Sequence, residues 1–446
     1  MRTIRLLFLV LALALGGPPS AFGAGKPNVV VILADDLGYG DLGCYGATRL
    51  RTPQIDRLAR EGMRFTDFHA NGSTCSPTRA ALLTGRYQQR SGIEEALSEK
   101  SPGLRGDTRT IATYLKAAGY ATGAFGKWHL GSRPGSAALP NRQGFDEFRG
   151  SRHGGIDYAS HVDRYGRLDW WHDEEPVVEP GYATDLLTGH ALRFIEQHRD
   201  GPFFVYLAHV AIHFPWMTAG DGPYRQEGKN YDNPSKVGPH SPAEITEVVN
   251  RMIERLDDGV GRVMDAIRGL PPGRETLVIF TSDNGGYLGY PGGFRNISSN
   301  GVLRGQKAGM HEGGHRVPCI AWWPGRISAG KETDALTMTM DLLPTFLELA
   351  GAAVPPPGDP YAPDGTSLVP LLLRNEAPQP RTLFWRVRDF KAARQGPWKL
   401  VIEHGLPELF HLGNDLGERH DLAAAEPQRL HELLDALAKW ESQFKK

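Results

Sequence analysis

Seven consecutive residues, Asn28-Val29-Val30-Val31-Ile32-Leu33-Ala34, carry no charge, are rich in β-branched side chains, and stop abruptly at Asp35-Asp36. A run without polar alternation has no solvent face. It fits a strand covered on both sides, as in a parallel sheet between helix layers. Thr52-Pro53 then opens a helix, with Ile55, Leu58, Ala59 and Met63 at helical spacing and Pro53 suited to the first turn. The alternation continues through a helix over Thr110 to Ala118 and a strand over Tyr120 to Phe125. Next come a helix over Ala183 to Gln197, a strand over Phe203 to Leu207, a long helix over Glu244 to Ile267 and a strand over Thr276 to Phe280. This pattern predicts an α/β fold with a mostly parallel central sheet flanked by helices.

The chain ends differ from this rhythm. Arg2 and Arg5 precede an apolar run from Leu6 to Leu15, and Gly16 to Gly25 is rich in small residues. These three parts match a secretory signal over residues 1–24, with an apolar run too short for a membrane span. No later stretch reaches the roughly 20 apolar residues of a span, so the chain is expected to be exported, periplasmic or secreted. Val354 to Pro363 is a turn-rich connector; it separates a main domain over 25–353 from a smaller C-terminal α+β subdomain over 354–446. There, Thr382 to Val387 and Trp398 to Ile402 look like strands of a small antiparallel sheet, and Pro427 to Phe444 like a terminal helix. Two long segments, Asn141 to Pro180 and Thr218 to Pro242, read as functional or disordered loops. With 50 basic against 51 acidic side chains there is no broad basic surface, which argues against a nucleic-acid partner. Three cysteines cannot build a disulfide framework, and Cys44 and Cys319 read as structural. The sequons at Asn71 and Asn296 read as coincidence.

Ligands of open α/β sheets collect at the carboxyl ends of the strands. There the sequence puts Asp35 and Asp36, Lys127 and His129, His209 and His213, and Asp283 and Asn284. Clustered carboxylates repel unless a cation sits among them, and an all-oxygen set suits a hard ion, Ca²⁺ or Mg²⁺. Two other strings are set aside. In Gly38-Tyr39-Gly40-Asp41-Leu42-Gly43 the aspartates have the wrong sign for a pyrophosphate, and no helix is expected at the third glycine. In His311-Glu312-Gly313-Gly314-His315 two glycines oppose the helix a zinc-protease motif needs, so a Gly-rich loop is expected.

Cys75 sits in a polar stretch at an expected helix N-terminus, four residues before Arg79, and both features favour an anion there. Cys75-Ser76-Pro77-Thr78-Arg79 with Leu83-Thr84-Gly85-Arg86 resembles the signature of the type I sulfatases, the formylglycine-dependent arylsulfatase family of the alkaline phosphatase superfamily. Further ordered blocks carry the resemblance along nearly the whole mature chain: Val31 to Gly38, Gly126 to Gly131, Ser282 to Gly285, Leu303 to Lys307 with Glu312 to Pro318, and Glu408 to Leu412.

The resemblance implies that Cys75 is oxidised to formylglycine by a formylglycine-generating enzyme, giving an aldehyde that hydrates to a diol. It implies that Asp35, Asp36, Asp283 and Asn284 bind the divalent cation, Ca²⁺ before Mg²⁺, together with the modified Cys75. Arg79 would hold the hydrated aldehyde, Lys127 and Lys307 would neutralise sulfate oxygens, His129 would deprotonate the diol, and His213 would assist departure of the alcohol. His209 is the weaker choice for that last role. Thr78 stands where serine is commoner, Gly154 near a sulfate-touching serine of some members with His153 as its substitute, and His311 where an aromatic is usual. Tyr158, Trp170 and Trp171 are expected to wall the pocket.

The reading is an exported sulfatase that converts an aryl or carbohydrate sulfate monoester to alcohol and inorganic sulfate. The alternatives are a phosphomonoester, phosphodiester or phosphonate hydrolase on the same fold, or a catalytically silent sulfated-glycan-binding relative. Nothing in the sequence specifies a number of subunits.

Overall fold

A computed structural model describes residues 25–231, 233 and 237–444; the expected signal over 1–24 lies outside the described residues. Ten strands form one mixed sheet. Its middle is parallel, in the spatial order Thr276–Ser282, Asn28–Ala34, Phe203–Ala208, Ala121–Gly126, Glu147–Gly150. The four strands expected from sequence thus stand side by side. Antiparallel neighbours, Cys319–Trp322 on one flank and Trp171–His172 on the other, extend it.

The unbroken apolar run of the first strand has the cause inferred for it. Val30, Ile32 and Ala34 face a core packed by the helices Pro53–Glu61, Ala183–Gln197 and Ile245–Arg268. Val29, Val31 and Leu33 face the opposite core, packed by Cys75–Thr84, Ile111–Ala117 and Leu342–Leu349. Alternate side chains point to opposite faces of a strand, so a strand covered twice tolerates no polar position.

Four antiparallel strands, Thr382–Val387, Phe390–Gln395, Trp398–Glu403 and Leu406–His411, form the small sheet, and the Pro427–Ser442 helix packs on it. Its core is separate and also takes in Tyr87, Met310, Met338 and Met340 from the large unit. The Val369–Arg374 helix, which follows the Pro-rich connector, packs on the core of the large sheet.

Two local expectations are corrected. Glu312–His315 forms one helical turn, not a plain loop. Its two glycines allow a close approach: a Cβ at Gly313 would sit 2.4 Å from the Gly305 carbonyl oxygen, and one at Gly314 2.1 Å from that of Gly309. The third glycine of the Gly38–Gly43 string does open a turn, the 3₁₀ segment Gly43–Tyr45. Asp41 organises that string, accepting from the Gly38 and Ser299 amides and pairing with Arg49.

Candidate active site

The carboxyl ends of the parallel strands bring all ten expected site residues together. Asp35 and Asp36 follow the central strand, and Asp36 has φ +64°, a left-handed conformation that turns the chain away from the sheet. Gly126 ends its strand at φ +119°, where a Cβ would lie 1.8 Å from the Ala208 carbonyl oxygen. Only glycine permits that approach, which brings Lys127 and His129 beside the neighbouring strand.

Cys75 is the first residue of its helix, with Thr74 extended before it. Its Sγ lies 3.2 Å from Lys307 Nζ and 3.7 Å from Asp35 Oδ1. Arg79, fully buried one turn later, donates through Nε and Nη2 to Asp283 Oδ2 at 3.1 and 2.8 Å and through Nη1 to the Lys127 carbonyl at 2.8 Å. Lys127 Nζ meets Asp35 Oδ2 at 2.5 Å, and Lys307 Nζ meets Asp36 Oδ1 at 2.5 Å. Thr78 keeps a hydroxyl at its position and uses it locally, accepting from the Gly72 amide and donating to the Gly72 carbonyl.

Three carboxylates therefore face three cations. Oxygens of Asp35, Asp36 and Asp283 lie within 4.8 Å of one another. Burial and then the Asp283 charge push the Asp35 carboxyl up to about 7. Burial acts the same way on Asp36, but Lys307, His213 and Lys127 outweigh it and hold that carboxyl well below its usual range. Asn284 donates from Nδ2 to Asp36 Oδ1 at 2.8 Å, which leaves its Oδ1 as the free atom. That Oδ1 and Asp36 Oδ2 are buried without a hydrogen-bond partner. Orphaned buried oxygens are rare, and these two sit among acids, so the donor set fits a hard divalent cation.

The two histidines carry their lone pairs on different nitrogens. His129 Nε2 lies 3.0 Å from the Leu97 carbonyl, which only accepts, so Nε2 carries the proton and the unpartnered Nδ1 is basic. His213 Nδ1 likewise donates to the Phe214 carbonyl at 2.7 Å, and its Nε2 faces Asp36 at 3.9 Å. Burial, then Lys127, lowers both imidazoles well below the ordinary histidine value. Gly154 and Gly155 lie flat against them: a Cβ at Gly154 would meet the His129 ring at 2.8 Å, and one at Gly155 would meet His213 Nδ1 at 2.8 Å. A serine at 154 would crowd His129.

These groups floor a cavity of about 300 Å³, lined at its base by Cys75, His129, His213 and Lys307. Lys127, 1% exposed, lies beneath the floor. The aromatic wall differs from expectation. Tyr158 and Trp170 are fully buried in the core, and Trp171 stacks on Arg152, 3.5 Å from its ring centre. The wall is Phe214, Tyr165, Tyr287 and Tyr290, and the Tyr287 ring lies 5.1 Å from the Lys307 ammonium. His153 lines the cavity, whereas His311 pairs with Glu403 and Glu408 at the small sheet. His209 is fully buried with neither ring nitrogen partnered. Cys75 departs from the anionic state expected for it: burial, only partly offset by Lys127 and Lys307, pushes its thiol up to about 12. An unmodified Cys75 is a protonated thiol, which is a poor nucleophile.

A carboxylate cluster under a cationic cavity, at the strand ends of a helix-flanked mixed sheet, defines a hydrolase of anionic esters with an alkaline-phosphatase-like fold. A profile of the sulfatase family matches residues 27–352, and one of the C-terminal region of N-sulphoglucosamine sulphohydrolase matches residues 305–439. The chain is 35% identical to human arylsulfatase A, covering 96% of this chain and 89% of that protein. It is 34% identical to N-acetylgalactosamine-6-sulfatase of Sus scrofa, covering 97% and 87%. The crystal structure of Ps i-CgsB superposes with a TM-score of 0.80 at 32% identity, covering 93% of this chain and 92% of that one. The chain belongs to the sulfatase family and is a sulfuric ester hydrolase.

Proposed function

We propose that this chain is an exported sulfatase that cleaves a sulfate monoester, of aryl or carbohydrate type, with Cys75 converted to formylglycine. The observation that carries the reading is the orphaned oxygen pair of Asp36 and Asn284 among the acids beside Cys75. Asp35, Asp36, Asp283 and Asn284 would hold Ca²⁺, which when bound supplies Lewis-acid polarisation and positive charge. The hydrated aldehyde at position 75 would supply the attacking hydroxyl. A relative, Ps i-CgsB, has been crystallised with a neocarrahexaose, which supports a glycan as the carrier of the ester.

The remaining roles follow from charge and proton accounting. Without the cation, three acids balance Arg79, Lys127 and Lys307. Once the acids are engaged elsewhere, Lys307 at the floor and Lys127 beneath it are free to neutralise ester oxygens. Arg79, locked by Asp283 and the Lys127 carbonyl, holds the head of the Cys75 helix in place. His129 offers Nδ1 as a base, because Leu97 fixes the proton on Nε2. His213 presents the lone pair of Nε2 beside Asp36, and assists departure of the alcohol only after that nitrogen has first taken up a proton, which it then passes to the leaving oxygen. The C-terminal subdomain expected over 354–446 has its own core only from the small sheet onward, since the Val369–Arg374 helix packs on the large sheet, and residues 1–24 would direct export.

The test is mass spectrometry of the peptide containing residue 75, alongside turnover of matched aryl sulfate and aryl phosphate. A peptide that has exchanged sulfur for an aldehyde, with sulfate preferred, is expected. Chelation should abolish turnover and Ca²⁺ should restore it. A clear phosphate preference, or full activity with an intact thiol, overturns the reading.

A further inference from the structure

We propose that the cavity wall formed by His153 to Gly155, Asp163 to Tyr165 and Arg225 is a second anion subsite centred on Arg225, so that the substrate carries a carboxylate or another sulfate beside the ester that is cleaved. The inference rests on the sulfatase reading of the cavity floor.

Arg225 lines the cavity and is 3% exposed. Its Nη1 donates to the Gly155 carbonyl at 3.2 Å, its Nε has no partner, and it forms no ion pair among the described residues. A guanidinium so nearly removed from water is costly unless an anion compensates it. The two nearest acids attract it without bonding it. Asp157 is occupied by four backbone amides, those of Ala159 and Ser160 on Oδ1 and of Tyr224 and Arg225 on Oδ2. Asp163 accepts from the Tyr165 and Arg167 amides and from the Arg167 guanidinium. Glu99, also on the wall, pairs with Arg167.

The position suits a group next to the scissile ester. Gly155, whose carbonyl Arg225 holds, is the residue that backs onto His213. On the same wall His153 keeps Nδ1 3.2 Å from Asp169 and 3.6 Å from Asp163. Burial disfavours its charge, but these two acids win and raise its pKa above the ordinary histidine value. The Arg225 guanidinium and the His153 ring therefore face a space whose acids are already engaged. Guanidinium pairs in a fixed planar fork with both carboxylate and sulfate, so the test separates the two.

The probes are 4-nitrophenyl sulfate, its analogues bearing a carboxylate ortho or meta to the ester, and an N-acetylhexosamine 6-sulfate against the matching hexosamine 2-N,6-O-disulfate. Wild type is expected to favour dianionic over monoanionic esters. Arg225→Gln should reduce kcat/KM for dianions about ten- to a hundredfold more than for monoanions, mainly through KM, with Arg225→Lys recovering part. Thermal melts establish that each variant folds. Calorimetric titration of the same esters into Cys75→Ala protein, with and without Arg225→Gln, reads the subsite independently of turnover. If the esters are hydrolysed but the dianion preference is absent, or is the same in wild type and Arg225→Gln, the subsite is overturned and the sulfatase reading stands. If no ester is hydrolysed while the titration keeps an Arg225-dependent preference, the subsite stands and the sulfatase reading falls.

Discussion

His209 and His213 lie four residues apart after the same strand, and burial separates their chemistry. His213 lines the cavity with Nε2 toward Asp36. His209 touches no polar partner, and burial pushes it down to about 4, so it is a neutral core side chain at physiological pH. An apolar replacement removes two unsatisfied nitrogens. His209→Leu is therefore expected to retain wild-type kcat/KM on an aryl sulfate and to gain about 1 kcal/mol of stability, checked by turnover and thermal melting. His213→Ala, in contrast, is expected to lower kcat/KM by about 10²- to 10⁴-fold while melting like wild type. Equal losses in both variants would reverse the assignment.

At the scale of elements, a buried charge network joins the small sheet to the large one. Arg394 and Lys399 reach across from the small sheet: Arg394 pairs with Asp67 and Glu312, and Lys399 with Glu312 at 2.8 Å and Glu418 at 2.9 Å. Arg316 closes the set on Glu312 at 3.0 Å, and His69 meets His315 at 3.0 Å between Nδ1 atoms. Breaking one partner of a buried pair leaves an uncompensated charge. Lys399→Met is expected to destabilise the fold by about 3–5 kcal/mol, and adding Glu418→Gln should return part of that, measured by denaturant unfolding.

This network was invisible in the sequence, as its members come from 67–69, 312–316 and 394–418 with no local period. The parallel strands were legible because burial on both faces writes itself as an unbroken apolar run. The clustering of Asp35, Asp36, Asp283 and Asn284 was legible because each pair directly follows such a run. The pocket wall was not, since Arg225 and Tyr287 sit in irregular segments and Tyr290 in a two-residue strand, where aromatic content does not say which ring faces the cavity. Tyr158 and Trp170 show the converse, being aromatic loop residues that fill core.

Across the whole molecule, buried neutral histidines set the response to acid. His69, His209 and His315 all have pKa values lowered chiefly by burial. Below about pH 6.5 the unfolded chain binds protons that these rings refuse when folded, so stability is intact above that pH and falls beneath it. Each such ring contributes about 1.4 kcal/mol per pH unit in that window. His153, raised by its two acids, and Asp35, pushed up to about 7 chiefly by burial, work in the opposite sense, so the three rings must outweigh them. Glu312, whose burial is outweighed by Lys399 and Arg394, adds to the loss once the pH falls through the carboxylate range. Tm is expected to be level from pH 8 to 7 and to fall steadily toward pH 5; a profile flat across that range would refute this balance.

The burial of Cys75, 2% exposed beneath Lys307 and at the head of a helix whose ten residues are all buried, also sets an order of events. No second protein can seat its own catalytic groups around a sulfur in that position. If Cys75 becomes formylglycine, its oxidation has to happen while the segment is still extended, in the interval between synthesis and docking of the helix. A chain that folds first would be locked as an inert thiol, and supplying the maturation enzyme to it afterwards would restore nothing until it was unfolded again.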